Sequence, residues 1–318
     1  MRFALMLEPQ QGLSYEEQLT IALRAESAGF ETLFRSDHYE SFPGNAGRPT
    51  TDAWAVVAGL ARETDRIGLG VLVSPVMFRT PGNLAKVAAT VDHMSGGRLE
   101  VGVGAGWHET EHLRHGLEFP PIGERAERLE ETLEILHGLW QGPDGWSFQG
   151  RHYRVEDALF RPRPVERAGR TRPQLIVGGG TPRSYRIAAR WADEFNASSA
   201  GPGRTAEMFA GVDEACRAIG RDPGSIRRSA MVGVLVGRDA AELERRGRAL
   251  MAEVGSSGAF EPWFEERRPR WIVGTPDEAR AAVRRFADVG VERIMLQDLL
   301  PRDLEHIDLM AAELFGRE

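Results

Sequence analysis

Residues 67–107 read IGLGVLVSPVMFRTPGNLAKVAATVDHMSGGRLEVGVGAGW and contain a complete strand–helix–strand pattern. Apolar runs at 67–73 and 99–103 flank a segment, 84–94, whose apolar residues recur at helical spacing. Strands that are buried on both faces read as nearly continuous apolar runs, and parallel neighbours need a helical crossover of about this length. The stretch therefore predicts a βαβ unit.

The same alternation of strand and helix continues along the whole chain. Two stretches, 141–173 and 253–275, interrupt it and are interpreted as irregular insertions. No linker or change of composition divides the 318 residues. The pattern therefore predicts an α/β fold in which residues 1–318 form a single (β/α)8 TIM barrel, with insertions after strand 4 and after the helix following strand 7. Two doubly wound domains are the alternative. The eight predicted strands are 2–7, 32–36, 67–73, 99–103, 174–177, 194–197, 229–236 and 291–297.

Composition and charge exclude several classes of protein. A hydrophobic content of 42% and a charged content of 27% are typical of a soluble globular chain with a full-sized core. The single cysteine, Cys216, excludes an internal disulfide and suits a reducing compartment. No apolar run approaches ~18 residues, so we expect a cytoplasmic protein without a membrane segment. The net charge of −7 argues against a nucleic-acid partner.

Two glycine-rich corners follow predicted strands and are candidate binding sites. The first, GVGAG at 102–106, is a weak signal, because in a barrel it can be only a tight turn. The second, VGGGTP at 177–182, places three glycines before a Thr-Pro pair that favours the start of a helix. Backbone amides at a helix N-terminus approach an anion closely where no Cβ intervenes. We therefore expect the phosphate of a ligand at Gly178, Gly179, Gly180 and Thr181.

The run HETEH at 108–112 matches the HExxH pattern of zinc proteases. That pattern requires a long helix and a third ligand further along the chain, whereas this run directly follows a predicted strand and His115 has the wrong spacing. We therefore expect no metal here and interpret these residues as polar groups around the mouth of a site.

Polar residues also follow the other predicted strands. His38 lies just beyond the second strand together with Asp37, and a His in that position can act as an acid, a base or a hydrogen-bond donor. It can equally be a His that bonds a loop carbonyl. Four further residues are expected at the same mouth, as ligands or as wall: Glu8, Gln10, Gln297 and Asp298.

A basic cluster occupies residues 161–172, which hold five Arg and one Glu. It is interpreted either as a solvated, proline-stiffened loop or as a rim that faces an anion. If the insertion folds over the glycine-rich corner at 177–182, these arginines are placed to accompany an acidic tail of a ligand.

Five ordered motifs resemble the bacterial luciferase-like flavin and deazaflavin oxidoreductases, in particular the branch that depends on coenzyme F420. The likeness covers nearly the whole chain and bears on fold and cofactor class more than on substrate. The motifs are SDHY (36–39), LGVLVSPVMFR (69–79), GRLEVGVGAGWHETEH (97–112), FPPIGERAERLEETLEIL (119–136) and IVGGGTPRSYRIAARWADEFN (176–196).

The resemblance implies a barrel that holds the tricyclic ring at the carboxyl ends of its strands. It implies a non-prolyl cis peptide at Leu72 and Val73, in a bulge followed by Ser74, and a ring lined by Gly106 and Trp107. His38 matches the family's histidine after the second strand, and the glycines 178–180 match its phosphate site.

One residue departs from the family's sugar-phosphate dehydrogenases. They have a catalytic Glu at the position that is Trp107 here, so that reaction is not expected, and the indole indicates an apolar, shape-selecting pocket. The resemblance also implies a homodimer, formed through the helices after the second and third strands.

The sequence thus predicts an oxidoreductase that transfers a hydride between coenzyme F420 and a small organic substrate. The alternative is an FMN-dependent monooxygenase, and a second class is a flavin-fold binding protein without turnover. We expect His38, Trp107 and Glu109 to be catalytic. The expected cofactor-binding residues are Glu8, Leu72, Val73, Ser74, Gly106, Gly178, Gly179, Gly180 and Thr181.

Overall fold

A computed structural model describes residues 1–42 and 47–316. The middle of the long loop after the second strand, residues 43–46, lies outside the described residues. The eleven described strands are β1 (Arg2–Leu7), β2 (Thr32–Arg35), β3 (Gly68–Pro75), β4 (Leu99–Gly104), β5 (Trp146–Gln149), β6 (Arg154–Ala158), β7 (Gln174–Gly178), β8 (Glu194–Ser198), β9 (Arg227–Val236), β10 (Ile272–Gly274) and β11 (Arg293–Asp298).

The helices alternate with the strands and surround them. They are α1 (Tyr15–Ala28), α2 (Ala53–Glu63), α3 (Pro81–Ser95), α4 (Glu109–Arg114), α5 (Ile122–Gln141), α6 (Pro182–Trp191), α7 (Pro202–Ala218), α8 (Ala240–Glu253), α9 (Phe260–Arg267), α10 (Pro276–Asp288) and α11 (Leu304–Leu314). Among residues 1–42 and 47–316, none of the helices combines the length and the apolar character needed to span a membrane.

Eight parallel strands close into a barrel in the order β1-β2-β3-β4-β7-β8-β9-β11, and β11 pairs again with β1. The predicted (β/α)8 barrel is confirmed. Closure places the carboxyl ends of all eight strands on one face, which is where barrels carry their sites.

Strand β3 runs two residues further than the apolar run predicted. Its register against β4 shifts between Val71 and Ser74, and the peptide between Leu72 and Val73 is cis, as the resemblance implied. The shift interrupts the alternation of side chains between the two faces, so Leu72 and Val73 both face the barrel mouth. Alternation alone does not predict such a bulge.

The two insertions have more regular structure than the sequence predicted. Residues 141–173 contain the antiparallel hairpin β5–β6. Residues 253–275 were expected to be irregular, but they contain α9 and the short strand β10, which pairs with β9. Phe260, Trp263 and Phe264 have helical spacing and pack as one buried cluster against α8, which explains why this segment becomes a helix.

Four buried polar side chains close the amino-terminal end of the barrel interior, and three of them are charged. We call Arg293, Glu100, Glu194 and Thr32 the floor cluster. Arg293 donates to both oxygens of Glu100, at 2.9 and 2.6 Å, and to both oxygens of Glu194, at 3.2 and 2.6 Å. Thr32 donates to Glu100 at 2.8 Å. Burial disfavours the Arg293 charge, but the two carboxylates outweigh burial and raise the pKa of Arg293. Four strands are thereby joined across the barrel.

Replacing Arg293 by Met should therefore destabilise the protein severely. The variant leaves the buried Glu100 without its cation and Glu194 with only the longer contact to Arg227 at 3.5 Å. Breaking a buried pair by removing one partner typically costs about 3–5 kcal/mol. Urea unfolding followed by circular dichroism measures the change. As the matched control, Arg2→Met removes a surface pair with Glu31 and should shift the midpoint little. A midpoint for Arg293→Met equal to that of the control would contradict a structural role for the floor cluster.

Candidate active site

A cavity of about 860 Å³ opens at the carboxyl ends of the barrel strands. Most of the predicted site residues line it, which confirms that they converge although they are far apart in the chain. The predicted residues that line the cavity are Glu8, His38, Leu72, Val73, Gly106, Trp107, Gly178, Gly179, Gly180 and Thr181. Ser74 and Glu109 do not line it.

Ser74 lies beneath the bulge and supports it. Its hydroxyl accepts a hydrogen bond from Trp54 Nε1 at 2.8 Å and donates to Asp37 Oδ2 at 3.0 Å. Asp37 also accepts from Arg79 at 2.6 Å. Burial raises the pKa of Asp37 even though Arg79 and Ser74 favour its ionised form. Ser74 and Asp37 therefore anchor the walls of the cavity and do not line it, although Ser74 was predicted to bind the cofactor.

His38 faces the cavity and is held by a residue that the sequence prediction missed. Its Nδ1 lies 3.0 Å from Oε2 of Glu111, and Oε1 of Glu111 accepts from the amides of Tyr39 and Glu40. Burial alone would raise the pKa of Glu111, but the hydrogen bonds from His38 and these amides outweigh burial and lower it. Glu111 is therefore a carboxylate, so Nδ1 of His38 carries a proton and donates it.

Glu109 was predicted to be catalytic but is exposed at the first residue of α4. The helix begins after His108, whose Nδ1 accepts from the Glu111 amide at 3.2 Å. This start turns Glu111 inward and Glu109 outward. A short helix cannot be phased from apolar periodicity, so the sequence could not show which of these two glutamates turns inward.

The histidines of the HExxH run have local partners. Nδ1 of His112 lies 2.8 Å from the carbonyl oxygen of His108, while its buried Nε2 has no hydrogen-bond partner in the described part of the chain. Burial lowers the pKa of His112, so this ring is neutral and its Nε2 is an acceptor. No group of three potential metal ligands occurs within residues 1–42 and 47–316.

Aromatic rings surround the imidazole of His38. The ring of Phe42 lies 4.5 Å from it, edge to face, and the indole of Trp107 lies 5.8 Å from it. Phe42 and Trp107 are also in contact, with centroids 5.2 Å apart. Trp107 nevertheless remains 64% exposed, so one side of the indole is available to a ligand.

Another part of the lining is polar and is organised around Glu8. Its two carboxylate oxygens accept from Gln297 Nε2 at 2.6 Å and from Gln10 Nε2 at 2.8 Å, and Gln10 accepts in turn from Ser36 at 2.7 Å. These residues face the mouth, as predicted. Asp298 does not, because its carboxylate is buried against His306.

The residues Gly178–Thr181, which we call the glycine corner, end β7 and lead into α6. Thr181 and Ser184 form a reciprocal cap, which satisfies the first turn of the helix. In the described part of the chain, the amides of Gly179, Gly180 and Arg183 donate no hydrogen bond and the Arg183 guanidinium has no hydrogen bond or ion pair. Gly179 has a φ of +138°, and an added Cβ would lie 2.6 Å from Cβ of Ser184. The corner thus offers open donors to an anion.

The basic segment 161–172 does not reach the glycine corner. Arg167 donates to the carbonyl oxygen of Gly96, and Arg172 pairs with Asp193, groups that precede β4 and β8. The segment enters β7 at its amino end, so it must lie on the opposite face of the barrel from the cavity. The expectation that these arginines accompany an acidic tail is therefore wrong.

Comparison with known proteins agrees with this architecture. Residues 1–293 match the sequence profile of the family described as luciferase-like monooxygenase. The chain belongs to that family. It is similar to an F420-dependent glucose-6-phosphate dehydrogenase of Microbacterium testaceum, with 29% identity over 304 residues that cover 89% of this chain and 87% of the relative.

Two solved structures share the fold. An F420-dependent secondary alcohol dehydrogenase bound to an F420-acetone adduct superposes with a TM-score of 0.82 at 20% identity, covering 98% of both chains. A monooxygenase from Streptomyces bottropensis superposes with a TM-score of 0.82 at 23% identity, covering 99% of this chain and 98% of the other.

Glu111→Gln should destabilise the protein and loosen the loop that carries His38. A glutamine oxygen can still accept from the two amides, but its NH2 group then faces Nδ1 of His38, so the imidazole either loses this partner or moves its proton to Nε2, at a cost of about 1–3 kcal/mol. Glu109→Gln, the same exchange two residues away at an exposed position, should stay within about 0.5 kcal/mol of wild type. Urea unfolding compares the two variants, and equal effects would refute the assigned role of Glu111.

Proposed function

We propose that this member of the luciferase-like family is an oxidoreductase that transfers a hydride between coenzyme F420 and a small organic substrate. The observation that carries the proposal is the His38–Glu111 pair, which faces the same cavity as the glycine corner. The relative from Microbacterium testaceum, named as F420-dependent, supports this choice of cofactor.

The lining residues fit a cofactor with a flat ring and a phosphate. The open amides of the glycine corner and Arg183 would hold the phosphate. Leu72, Val73 and Gly106 would hold the ring, because the bulge and the missing Cβ leave backbone that a planar system can approach. When bound, the deazaflavin supplies the carbon that accepts or returns the hydride.

His38 is the residue best placed to move a proton. Glu111 fixes its Nδ1 as a donor, so Nε2 is the acceptor whenever the imidazole is neutral, and it makes no hydrogen bond within the described residues. A neutral imidazole held in one tautomer by a carboxylate is suited to act as a general base, and the resulting cation is stabilised by Glu111. Phe42 and Trp107 keep water from one side of the His38 imidazole and so favour direct transfer of a proton between the substrate and Nε2.

A second candidate is an FMN-dependent monooxygenase. FMN ends at its phosphate and needs only the glycine corner, and the basic segment that was expected to favour an acidic tail lies at the other end of the barrel. The family is described as luciferase-like monooxygenase, and the protein of the Streptomyces bottropensis structure is named a monooxygenase. On the grounds of the family resemblance we further infer a homodimer, and from the single cysteine, Cys216, we infer a reducing compartment, the cytoplasm.

Parallel titrations decide between these cofactors. Purified apoprotein should bind F420 and quench its fluorescence, and the bound cofactor should exchange a hydride with substrate without consuming oxygen. Tight FMN binding without F420 binding, followed by oxygen-dependent turnover, would establish the monooxygenase instead.

His38→Ala should lower turnover by about 10²- to 10⁴-fold, the usual contribution of a positioned acid or base. Cofactor affinity should change little, because the phosphate and ring contacts lie elsewhere in the cavity. Cofactor fluorescence and steady-state kinetics separate the two effects. Turnover equal to wild type would reduce His38 to a loop residue, whereas a parallel loss of affinity would place it in the cofactor site.

A further inference from the structure

Resting on the proposed function, we propose that the substrate is an uncharged alcohol with an apolar body, or the corresponding carbonyl compound, and not a phosphorylated sugar. The argument depends on the charges and unpaired groups that line the cavity beyond the glycine corner.

Cationic groups are nearly absent from the lining. Among the described residues that line the cavity, Arg183 is the only Lys or Arg, and it belongs to the glycine corner. Residues 43–46, which are not described, contain no Lys or Arg in the sequence. A phosphate is normally bound by cations or by open backbone donors, and this cavity offers both at one corner, which the phosphate of the cofactor would occupy. A second phosphate would find no partner.

Two carboxylates in the remaining lining disfavour the binding of an anion by electrostatic repulsion. Glu8 and Glu111 both face the cavity, and the neutral His112 presents the unpaired acceptor Nε2. A cationic substrate is not favoured either. Both oxygens of Glu8 already accept from Gln10 and Gln297, and both oxygens of Glu111 accept from His38 and backbone amides.

Apolar side chains line another part of the cavity, beside polar ones such as Gln11, Ser198 and Ser199, and we call Phe42, Trp107, Ile122, Val254 and Leu299 the apolar wall. Trp107 is 64% exposed and Ile122 is 62% exposed, both at the mouth. Large apolar side chains left open inside a polar rim are typical of a site that buries an apolar ligand. We therefore expect the apolar wall to pack against the carbon skeleton of the substrate and His38 to hydrogen-bond its oxygen.

The chemistry balances for an alcohol. The carbinol C–H bond breaks and its electron pair leaves as a hydride to the oxidised deazaflavin, which gains two electrons. The hydroxyl proton moves to Nε2 of His38, and the C–O bond becomes C=O. Reduction of a carbonyl compound reverses each of these transfers.

The test uses the full chain loaded with F420 and follows the fluorescence and absorbance of the cofactor. Secondary alkanols of increasing length should bind about fourfold more tightly for each added methylene that the wall buries. The same alkanol with a terminal phosphate should bind at least about tenfold more weakly, and glucose 6-phosphate should not reduce the cofactor.

A charge variant tests the electrostatic part. Ile122→Lys adds a cation to the apolar wall, and Ile122→Gln is the matched control without charge. The lysine variant should bind the phosphate-bearing alkanol more tightly than the control, whereas the unphosphorylated alkanol should bind both variants equally. No difference between the two variants would refute the electrostatic argument.

Two failures remain distinguishable. If F420 binds but wild type prefers the phosphorylated compound or oxidises glucose 6-phosphate, the substrate class is wrong and the proposed function stands. If F420 does not bind, the proposed function falls and the substrate class falls with it.

Discussion

The floor cluster imposes the constraint on which the rest of the structure depends. A barrel of parallel strands has two ends through which a ligand could enter. Arg293 forms ion pairs with Glu100 and Glu194, and these buried charged side chains fill the amino-terminal end. Charges at such depth are stable only when every hydrogen-bonding group is satisfied, so the strands that carry them are held in one register. With that end closed, a ligand can enter only at the carboxyl ends.

The closed barrel separates its two ends by function. Basic residues 161–172 and the floor cluster lie at the amino ends, where they bond turns and strand starts. The open donors of the glycine corner, the bulge in β3 and His38 lie at the carboxyl ends. This division is a consequence of parallel strands, because every strand begins on one face and finishes on the other.

Within the mouth, loops from distant parts of the chain hold one another in place. Glu111 reaches across 73 positions to His38 and simultaneously binds two backbone amides of the loop that carries it. Ser74 and Asp37 do the same beneath the bulge. The chemically active groups are thus oriented by buried carboxylates and hydroxyls whose hydrogen bonds are made within the protein, which reduces the cost of ordering the site when a ligand binds.

The sequence by itself determined the number and order of barrel strands, the glycine corner, and the presence of His38 and Trp107 at the mouth. These features follow from local patterns: runs of buried residues, helix-start signals, and polar residues at strand ends. It also indicated the cis peptide through family resemblance. It did not indicate that 253–275 contains a helix that packs on α8.

Only the tertiary structure decided which of the neighbouring polar residues face the cavity. The sequence alone does not distinguish Glu109 from Glu111. Which of the two turns inward depends on where α4 begins, and His108 sets that start by accepting a hydrogen bond from the Glu111 amide. Ser74 was predicted to bind the cofactor, yet it follows the register shift in β3 and hydrogen-bonds Trp54 and Asp37. Segment 161–172 was interpreted either as a solvated loop or as a rim near the glycine corner, and the direction of β7 places it at the opposite end of the barrel. In each case the residue's environment depends on contacts between segments that are brought together by closure of the barrel. The pattern of residues within one segment does not show which other segment will lie beside it.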